Sequence, residues 1–352
     1  MTSLQGGISL FLLLVFFCHP ASARTRLVVW HPTPESPRMI IPVMEGETPE
    51  HAATRYLKAV NDNSSLHELM GNQKYEPPVR NFELFIPTQL HSEKPAFAVL
   101  ANHFMDHQSP EGKIMHNVRD VFEKSGADVF VIPVAADEGL SPAQAREYRE
   151  AVAEAFDAML ALGGRDIDPS LYGKPLGMSH KVNLAGDLPE VELIRAYIHK
   201  KHGVLYGICR GHQLCAVAQG SPLIQDIATE TTNSVHHPDV YHKIDVTPDE
   251  SSLFFKFVGN QERVEVNSYH HQAVTLDIAD KMKIVATQGR KMDTGAARIV
   301  EAVESADHQI MTVQFHPELM KSKTAKGVIS GMVSHAVEWR DHLRPTRCLS
   351  VR

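Results

Sequence analysis

A cysteine at the centre of a glycine-flanked turn is the residue best suited to nucleophilic chemistry. The apolar run Val204 to Ile208 contains Gly207 and leads into Cys209, Arg210 and Gly211, after which the pattern is helical. Gly-x-Cys-x-Gly between a strand and a helix is typical of a nucleophile elbow, which exposes its central side chain in a strained conformation. The helix start stabilises a thiolate, and the N–H of Arg210 can receive an oxyanion. The alternative is a buried structural cysteine in a tight turn.

A histidine that could serve as the base follows a second apolar run. His316 comes after Val313 to Phe315 and before Pro317 and Glu318. The carboxylate of Glu318 could accept one ring N–H of His316 and so fix the tautomer. If this strand runs parallel to the one before Cys209, the two side chains share an edge of the sheet. The alternative is a His-Pro turn with a solvated glutamate.

Two adjacent glycines could complete an oxyanion hole. Gly163 and Gly164 follow the apolar run Phe156 to Leu162. Glycine lets the backbone approach a ligand closely, so the N–H of Gly164 would act together with that of Arg210. A plain turn is the alternative.

The elements around these residues alternate between strand and helix from Lys94 onward. Strands are predicted at 96–101, 128–134, 156–162 and 204–208, and helices at 113–124, from 141, and at 188–202. This order predicts an α/β fold with a doubly wound, mostly parallel sheet, in which sites form at the carboxyl ends of the strands. After Gly220 the strand-like runs 241–246, 263–266, 282–287, 297–304 and 309–315 indicate a small antiparallel excursion, closed by a helix at 328–340.

The first 23 residues have the pattern of a signal peptide. Ile8 to Phe17 is apolar apart from Ser9, and Ala21-Ser22-Ala23 has the small-x-small form of a cleavage site. The run is too short for a stable membrane anchor. One feature departs from the signal-peptide pattern, because no Lys or Arg precedes the apolar run, but the run and the cleavage-like site still favour export. We therefore expect an exported protein, periplasmic or secreted, with a cytoplasmic protein as the alternative if the leader does not function.

Residues 24–93 are interpreted as an N-terminal extension packed on, or looped around, a main domain at 94–345. A short strand is predicted at Leu27 to Trp30, and a helix at His51 to Val60 with Pro49 in its first turn. No residue pattern in this segment indicates a chemical function.

Composition excludes several classes of protein. A net charge of −7 with scattered Lys and Arg gives no nucleic-acid footprint. Four cysteines do not form a disulfide framework, and Cys215 is expected to be a core residue. The 21 histidines include the pairs His236-His237 and His270-His271. Because adjacent strand residues face opposite ways and no zinc-like spacing is present, no metal is expected.

Several segments resemble the gamma-glutamyl-gamma-aminobutyrate hydrolase family, a hydrolytic branch of the class I glutamine amidotransferase-like superfamily. The resemblance covers about Lys94 to Val337. The matching segments, in chain order, are Gly163-Gly164-Arg165-Asp166-Ile167-Asp168-Pro169-Ser170-Leu171-Tyr172-Gly173, Gly207-Ile208-Cys209-Arg210-Gly211 with Gln213-Leu214 and Gln225-Asp226, Val266-Asn267-Ser268-Tyr269-His270-His271-Gln272-Ala273-Val274, Glu301-Ala302-Val303-Glu304, and Gln314-Phe315-His316-Pro317-Glu318.

The resemblance implies a flavodoxin-like sheet and a cysteine-dependent hydrolase of gamma-glutamyl amides that needs no cofactor. It implies Cys209 as nucleophile, His316 as base and then acid, and Glu318 as the group that orients His316. The oxyanion donors would be the backbone N–H groups of Gly164 and Arg210. The implied substrate-binding residues are Gly163, Gln213, His270, His271 and Gln272.

Two other functions remain open at this stage. One is a glutaminase subunit that delivers ammonia to a partner synthetase, and the other is a non-enzymatic binding protein. The leaving amine is equally open among gamma-glutamyl-aminobutyrate, gamma-glutamyl polyamines, folate polyglutamates and cell-wall-derived gamma-glutamyl peptides. The substrate is expected to be a small molecule, and the chain could be a monomer or a homodimer.

Overall fold

One large twisted sheet organises the protein. The computed structural model describes residues 25–32, 36–69, 76, 79–85, 93–101, 110–233, 237, 239–289 and 298–348. Within these residues twelve strands form a sheet in the order β10-β9-β12-β13-β14-β7-β6-β4-β5-β2-β1-β3, and β8 pairs with β11 separately. The strands are β1 Arg26–Trp30, β2 Met39–Val43, β3 Phe82–Leu84, β4 Ala96–Ala101, β5 Asp128–Pro133, β6 Ala158–Ala161, β7 Val204–Ile208, β8 Leu223–Ile224, β9 Val240–Val246, β10 Arg263–Ser268, β11 Ala273–Val274, β12 Lys283–Gln288, β13 Ile299–Glu304 and β14 Ile310–Val313.

Helices cover both faces of this sheet. They are α1 Pro49–Asp62, α2 Ser64–Leu69, α3 Pro110–Lys124, α4 Pro142–Ala155, α5 Leu184–Lys200, α6 Arg210–Ala218, α7 Ile227–Glu230, α8 Leu253–Phe257 and α9 Lys323–Cys348. The start of α4 follows from its sequence, because Ser141 and Gln144 form a reciprocal capping box with Pro142 in the first turn. Among the described helices, none combines the length and apolar character needed to cross a membrane.

The predicted parallel sheet is confirmed. Strands β5, β4, β6, β7 and β14 are neighbours in that order, and every adjacent pair is parallel. In chain order this is 2-1-3-4-5, the flavodoxin-like arrangement, whose ligands bind at the carboxyl ends of the strands. The antiparallel excursion is also present, because β13, β12, β9 and β10 continue the sheet beyond β14 by antiparallel pairing.

The N-terminal segment belongs to this sheet rather than only packing on it. Strand β2 pairs parallel with β5, β1 pairs antiparallel with β2, and β3 pairs antiparallel with β1. Strand β2 is fully buried, and Trp30 on β1 has no exposed surface. Prolines interrupt the short apolar runs of residues 24–93, so local patterns indicate only an extension there. In the structure Pro42 lies on β2 opposite Leu27 of β1, and β2 pairs with β5 at Met39, so the proline falls beyond that pairing. Strand β3 forms the edge of the sheet. The predicted leader lies outside the described residues.

Two apolar cores lie on opposite faces of the sheet. One includes Tyr56 of α1, Phe122 of α3 and Met332 of α9. The other includes Val152 of α4 and Ile194 of α5, together with apolar residues of α6. This doubly covered sheet holds the loops after β6, β7 and β14 at one edge, since those three strands are parallel and adjacent.

Candidate active site

Cys209 forms the strained turn between β7 and α6. Its φ of +53° and ψ of −108° lie outside the regions that a non-glycine residue usually adopts, which costs about 1–3 kcal/mol. Close packing imposes this turn, because a Cβ on Gly207 would lie 2.6 Å from the carbonyl carbon of Gly211. A Cβ on Gly211 would collide with the carbonyl oxygen of Ala161 on β6. Only glycine fits at both positions, so the predicted elbow geometry is present.

A buried imidazole lies between the thiol and a carboxylate. His316 Nδ1 is 2.6 Å from Glu318 Oε1, and the ring also hydrogen-bonds to Cys209. Burial lowers the pKa of His316, but the charges of Glu318 and of a Cys209 thiolate outweigh burial and raise this pKa well above 6.5. The geometry thus favours a protonated imidazole beside the Cys209 sulfur, the pair needed for attack on a carbonyl carbon followed by protonation of a leaving group.

The main chain of His316 is fixed by an asparagine that the sequence analysis did not single out. Asn267, at the end of β10, is fully buried; its side-chain amide donates to His316 O over 3.0 Å, and its Oδ1 accepts from His316 N over 2.9 Å. The ring of Tyr269 lies edge-on to the His316 ring with centroids 5.7 Å apart, and it is 47% exposed. Both residues lie within the Val266 to Val274 segment, so the signal was present without an assigned role.

Gly163 borders the pair directly. A Cβ at this position would lie 2.6 Å from His316 Cε1 and 3.5 Å from Cys209 Cβ, so any other residue would displace the imidazole. The next residue, Gly164, is exposed. Arg210 is the first residue of α6, and its N–H therefore has no partner within that helix. The structure brings Gly163, Cys209 and His316 together from three strand ends, as the sequence analysis expected.

An acidic pair on α5 connects the elbow to the Gly163-Gly164 loop. The buried guanidinium of Arg210 lies 2.6 Å from both Asp187 Oδ1 and Glu190 Oε2. Asp187 also pairs with Arg165 at 2.8 Å and accepts from the N–H of Asp168 at 2.9 Å. Two carboxylates thus face two guanidinium groups. Asp187 is a positioning residue, which the sequence analysis missed because Leu184–Lys200 carries no feature that identifies one inward acid among several.

Three of the five predicted substrate-binding residues are buried and bonded within the protein. Gln213 donates to Gln272 O and Gln314 Oε1, both at 3.3 Å. Gln272 donates to Ser179 Oγ over 2.8 Å. The ring of His270 is almost fully buried and faces the interior; burial lowers its pKa to about 3. These contacts hold the three side chains within the protein, whereas Gly163 and His271 are partly accessible.

His271 connects the Gly163 loop to the start of α7. Its Nε2 lies 3.1 Å from Asp166 Oδ2 and its Nδ1 lies 3.4 Å from Asp226 Oδ1. The hydrogen bond that His271 donates to Asp166 outweighs burial and raises the pKa of His271. Burial raises the pKa of Asp226, but hydrogen bonds, first that of Thr229, lower it overall. Because two carboxylates surround the single imidazole of His271, this group of three side chains carries a net negative charge.

The chain that carries this site matches a known protein family. The sequence model of Peptidase C26 matches residues 98–318, which is more than half of the chain. The chain belongs to the Peptidase C26 family. This membership, within the class I glutamine amidotransferase-like superfamily, indicates cysteine-type amide hydrolysis or glutaminase activity.

Relatives of this Peptidase C26 protein come from bacteria and yeast. Protein NtpR of Enterococcus hirae is 31% identical over 209 residues, which cover 56% of this chain and 82% of NtpR. The glutamine amidotransferase-like protein YvdE of Lactococcus lactis is 31% identical over 210 residues, covering 56% of this chain and 78% of YvdE. A glutamine amidotransferase-type protein of Schizosaccharomyces pombe is 27% identical over 183 residues, covering 50% of this chain and 67% of its own.

A solved structure supports the fold. The glutaminase domain of Trypanosoma brucei CTPS, with acivicin bound, superposes with a TM-score of 0.52 at 15% identity. The match covers 69% of this Peptidase C26 chain and 94% of that domain. At this level of identity the likeness establishes the α/β architecture alone.

Proposed function

We propose that this protein is a gamma-glutamyl hydrolase that resembles the gamma-glutamyl-gamma-aminobutyrate hydrolases. Its triad would be Cys209, His316 and Glu318. The observation that carries the proposal is the placement of His316 between the strained Cys209 and the Glu318 carboxylate 2.6 Å away. A plain structural cysteine would need neither the strained elbow nor a buried imidazole held on both sides.

Acylation of the enzyme is the first half of the reaction. The Cys209 sulfur attacks the gamma-carbonyl carbon of the substrate, and the carbonyl oxygen becomes an oxyanion. The N–H groups of Gly164 and Arg210 donate to that oxyanion, each worth about 3 kcal/mol of transition-state stabilisation. The C–N bond then breaks, and the proton on His316 Nε2 passes to the leaving amine. The products are a thioester and a free amine.

Hydrolysis of the thioester regenerates the site. Neutral His316 takes a proton from water, and the resulting hydroxide attacks the thioester carbonyl carbon. Collapse of the second tetrahedral intermediate expels the Cys209 thiolate and releases glutamate. Glu318 keeps Nδ1 protonated throughout, so that Nε2 faces the reacting atoms. Each turnover consumes one water and needs no other reactant.

A glutaminase subunit is the second candidate, favoured by the names of the YvdE and yeast relatives. It would use the same thioester with glutamine as substrate and pass ammonia to a synthetase. The predicted leader argues against this alternative, because ATP-dependent synthesis does not suit an exported protein. We therefore propose a free-standing enzyme acting on a small molecule.

Hydrolysis of a panel of gamma-glutamyl amides by the purified chain tests the proposal. The panel holds gamma-glutamyl-aminobutyrate, gamma-glutamylputrescine, a folate diglutamate, a gamma-D-glutamyl dipeptide and glutamine, and glutamate release is measured without any partner. Turnover of a substituted amide at least about tenfold faster than that of glutamine is expected. Turnover of glutamine alone would favour the glutaminase subunit. No release from any member, together with a slowly alkylated Cys209, would reject an enzymatic role.

The Glu318→Gln variant tests the orienting carboxylate through pH dependence. Glu318 raises the pKa of His316, so its neutralisation is expected to lower that pKa. Activity depends on the His316 proton and is lost as pH rises through this pKa. The alkaline limb of kcat/KM should therefore move to lower pH in the variant, with a lower maximum. A reduced maximum without movement of the limb would contradict the assigned role of Glu318.

A further inference from the structure

Four side chains from separate parts of the chain meet in the protein interior. His237 precedes β9, His242 lies on β9, His270 follows β10, and Glu301 lies on β13. We name them the His–Glu cluster. Their side chains are at most 6% exposed, and Glu301 is fully buried. The Glu301 Oε1 atom lies 3.3 Å from His242 Nε2 and 4.0 Å from both His237 Nδ1 and His270 Nε2.

The hydrogen bonds of His270 determine which of its atoms faces the carboxylate. His270 Nδ1 lies 2.9 Å from the carbonyl oxygen of Gln272, which can only accept. In the neutral ring Nδ1 therefore carries the proton, and Nε2 directs a lone pair toward Glu301. Imidazoles that bind metal ions are commonly oriented by such a bond to a backbone carbonyl.

Glu301 lacks the partners that a buried carboxylate needs. Among the described residues neither of its oxygens accepts a hydrogen bond, and no lysine or arginine pairs with it. His242 Nε2 is close to Oε1, yet the two atoms do not have hydrogen-bond geometry. Two ligands of one metal ion have this arrangement, because the lone pair of each ligand points at the ion and not at the other ligand. A buried carboxylate in this state needs either a bound cation or a proton, and the three imidazole nitrogens around Glu301 favour the cation.

We propose that the His–Glu cluster binds one Zn²⁺ ion through three imidazole nitrogens and one Glu301 oxygen. Four such ligands complete a tetrahedral structural site, in which ligand atoms at bonds of about 2.0–2.1 Å lie about 3.3 Å apart. The ligand atoms of His237, His242 and Glu301 already lie within 4.8 Å of one another, and these three form the core of the site. His270 Nε2 lies 4.0 Å from Glu301 Oε1 and would move toward the ion to complete the tetrahedron. This proposal revises the sequence-based expectation of no metal and does not depend on the proposed function.

The ion would fasten a loop of the candidate active site to the antiparallel part of the sheet. His270 follows directly after Tyr269 and three residues after Asn267, the residues that contact His316. Coordination of His270 to ligands on β9 and β13 would fix this segment in place. Removal of zinc should therefore reduce stability and loosen the support of His316, although the metal takes no part in the reaction.

Zinc binding by the wild-type chain is the first test. The full chain is stripped with a chelator, dialysed, and titrated with Zn²⁺ against a chromophoric competitor. One Zn²⁺ per chain with a Kd below about 1 µM is expected, together with a rise of about 3 °C or more in Tm at 100-fold excess over Kd. Co²⁺ in place of zinc should give the visible bands of a tetrahedral nitrogen–oxygen site. Failure of stripped but folded wild-type protein to bind Zn²⁺ would overturn the proposal, and a proton would then balance Glu301.

Variants locate the bound ion. Glu301→Gln and His242→Gln should each reduce stoichiometric zinc binding by at least about 100-fold in affinity. The control is His180→Gln, in the second group of possible ligands, Asp166, His180 and His271. There His271 already hydrogen-bonds to Asp166, and His180→Gln should leave binding unchanged. Full zinc binding by folded Glu301→Gln, or its loss in His180→Gln, would overturn the assignment. If a cluster variant does not fold, the wild-type titration and the control still decide.

Discussion

Cys209→Ala is expected to reduce kcat/KM for a gamma-glutamyl amide by at least about 10⁴-fold. The thiol supplies the bond that forms the thioester, and alanine leaves only substrate binding and the oxyanion donors to act on water. The fold should persist, because the change removes a single sulfur atom at the carboxyl end of β7. Glutamate release by the variant and by wild-type protein at equal concentration measures the effect.

Cys215→Ala is the matched control for the nucleophile. This second thiol lies on the same helix, α6, and burial raises its pKa. It should therefore alkylate slowly, and its replacement should change kcat/KM by less than about twofold. Mass spectrometry after iodoacetamide treatment at pH 7 should locate the label on Cys209 first. Comparable loss of activity in both variants, or first labelling of Cys215, would contradict the assignment of Cys209.

Asp187→Asn is expected to have the largest effect on stability. Asp187 is fully buried and serves both Arg210 on the elbow and Arg165 on the Gly163 loop. Neutralising it removes the buried carboxylate that the two guanidinium groups share, and breaking such a pair costs about 3 kcal/mol or more. The free energy of unfolding in urea should fall by about that amount. Activity should fall as well, since Asp187 supports both segments that carry the proposed oxyanion donors, Gly164 and Arg210.

Glu192→Gln on the same helix provides the comparison. Glu192 pairs with Arg149 at 3.0 Å, but it is 40% exposed, and such pairs contribute about 1 kcal/mol or less. The two variants remove the same charge from α5 at different depths. Equal unfolding midpoints for Asp187→Asn and Glu192→Gln would show that the buried network does not hold the site together.

Patterns along the chain were sufficient to predict most of the fold. Alternating strands and helices gave the parallel sheet, and the run of strands after Gly220 gave its antiparallel part. The N-terminal strands were harder, because Met39–Val43 contains a proline and Phe82–Leu84 has only three residues. Their place depends on long-range pairing, of Met39–Val43 with β5 and of Phe82–Leu84 with β1, which local patterns do not encode.

Some residues of the candidate site could be predicted from the sequence, and others could not. Cys209, His316 and Glu318 can be recognised from local context. Glycines around a turn identify Cys209, and a carboxylate two residues after a histidine identifies the other two. Side-chain burial could not be predicted in the same way. Gln213, Gln272 and His270 are buried, as the candidate triad is, and their contact with substrate stays a prediction. Asp187 and the His–Glu cluster act through partners distant in sequence, which only the folded chain brings together.

The position of β14 in the sheet has a consequence for biosynthesis. This strand lies between β7 and β13, so a chain still lacking it has an unpaired β7 edge and a Cys209 without its histidine. A growing or refolding chain therefore cannot combine the thiol with its base until residues beyond 316 have docked. Recovery of hydrolysis after dilution from denaturant would then report the docking of this central strand.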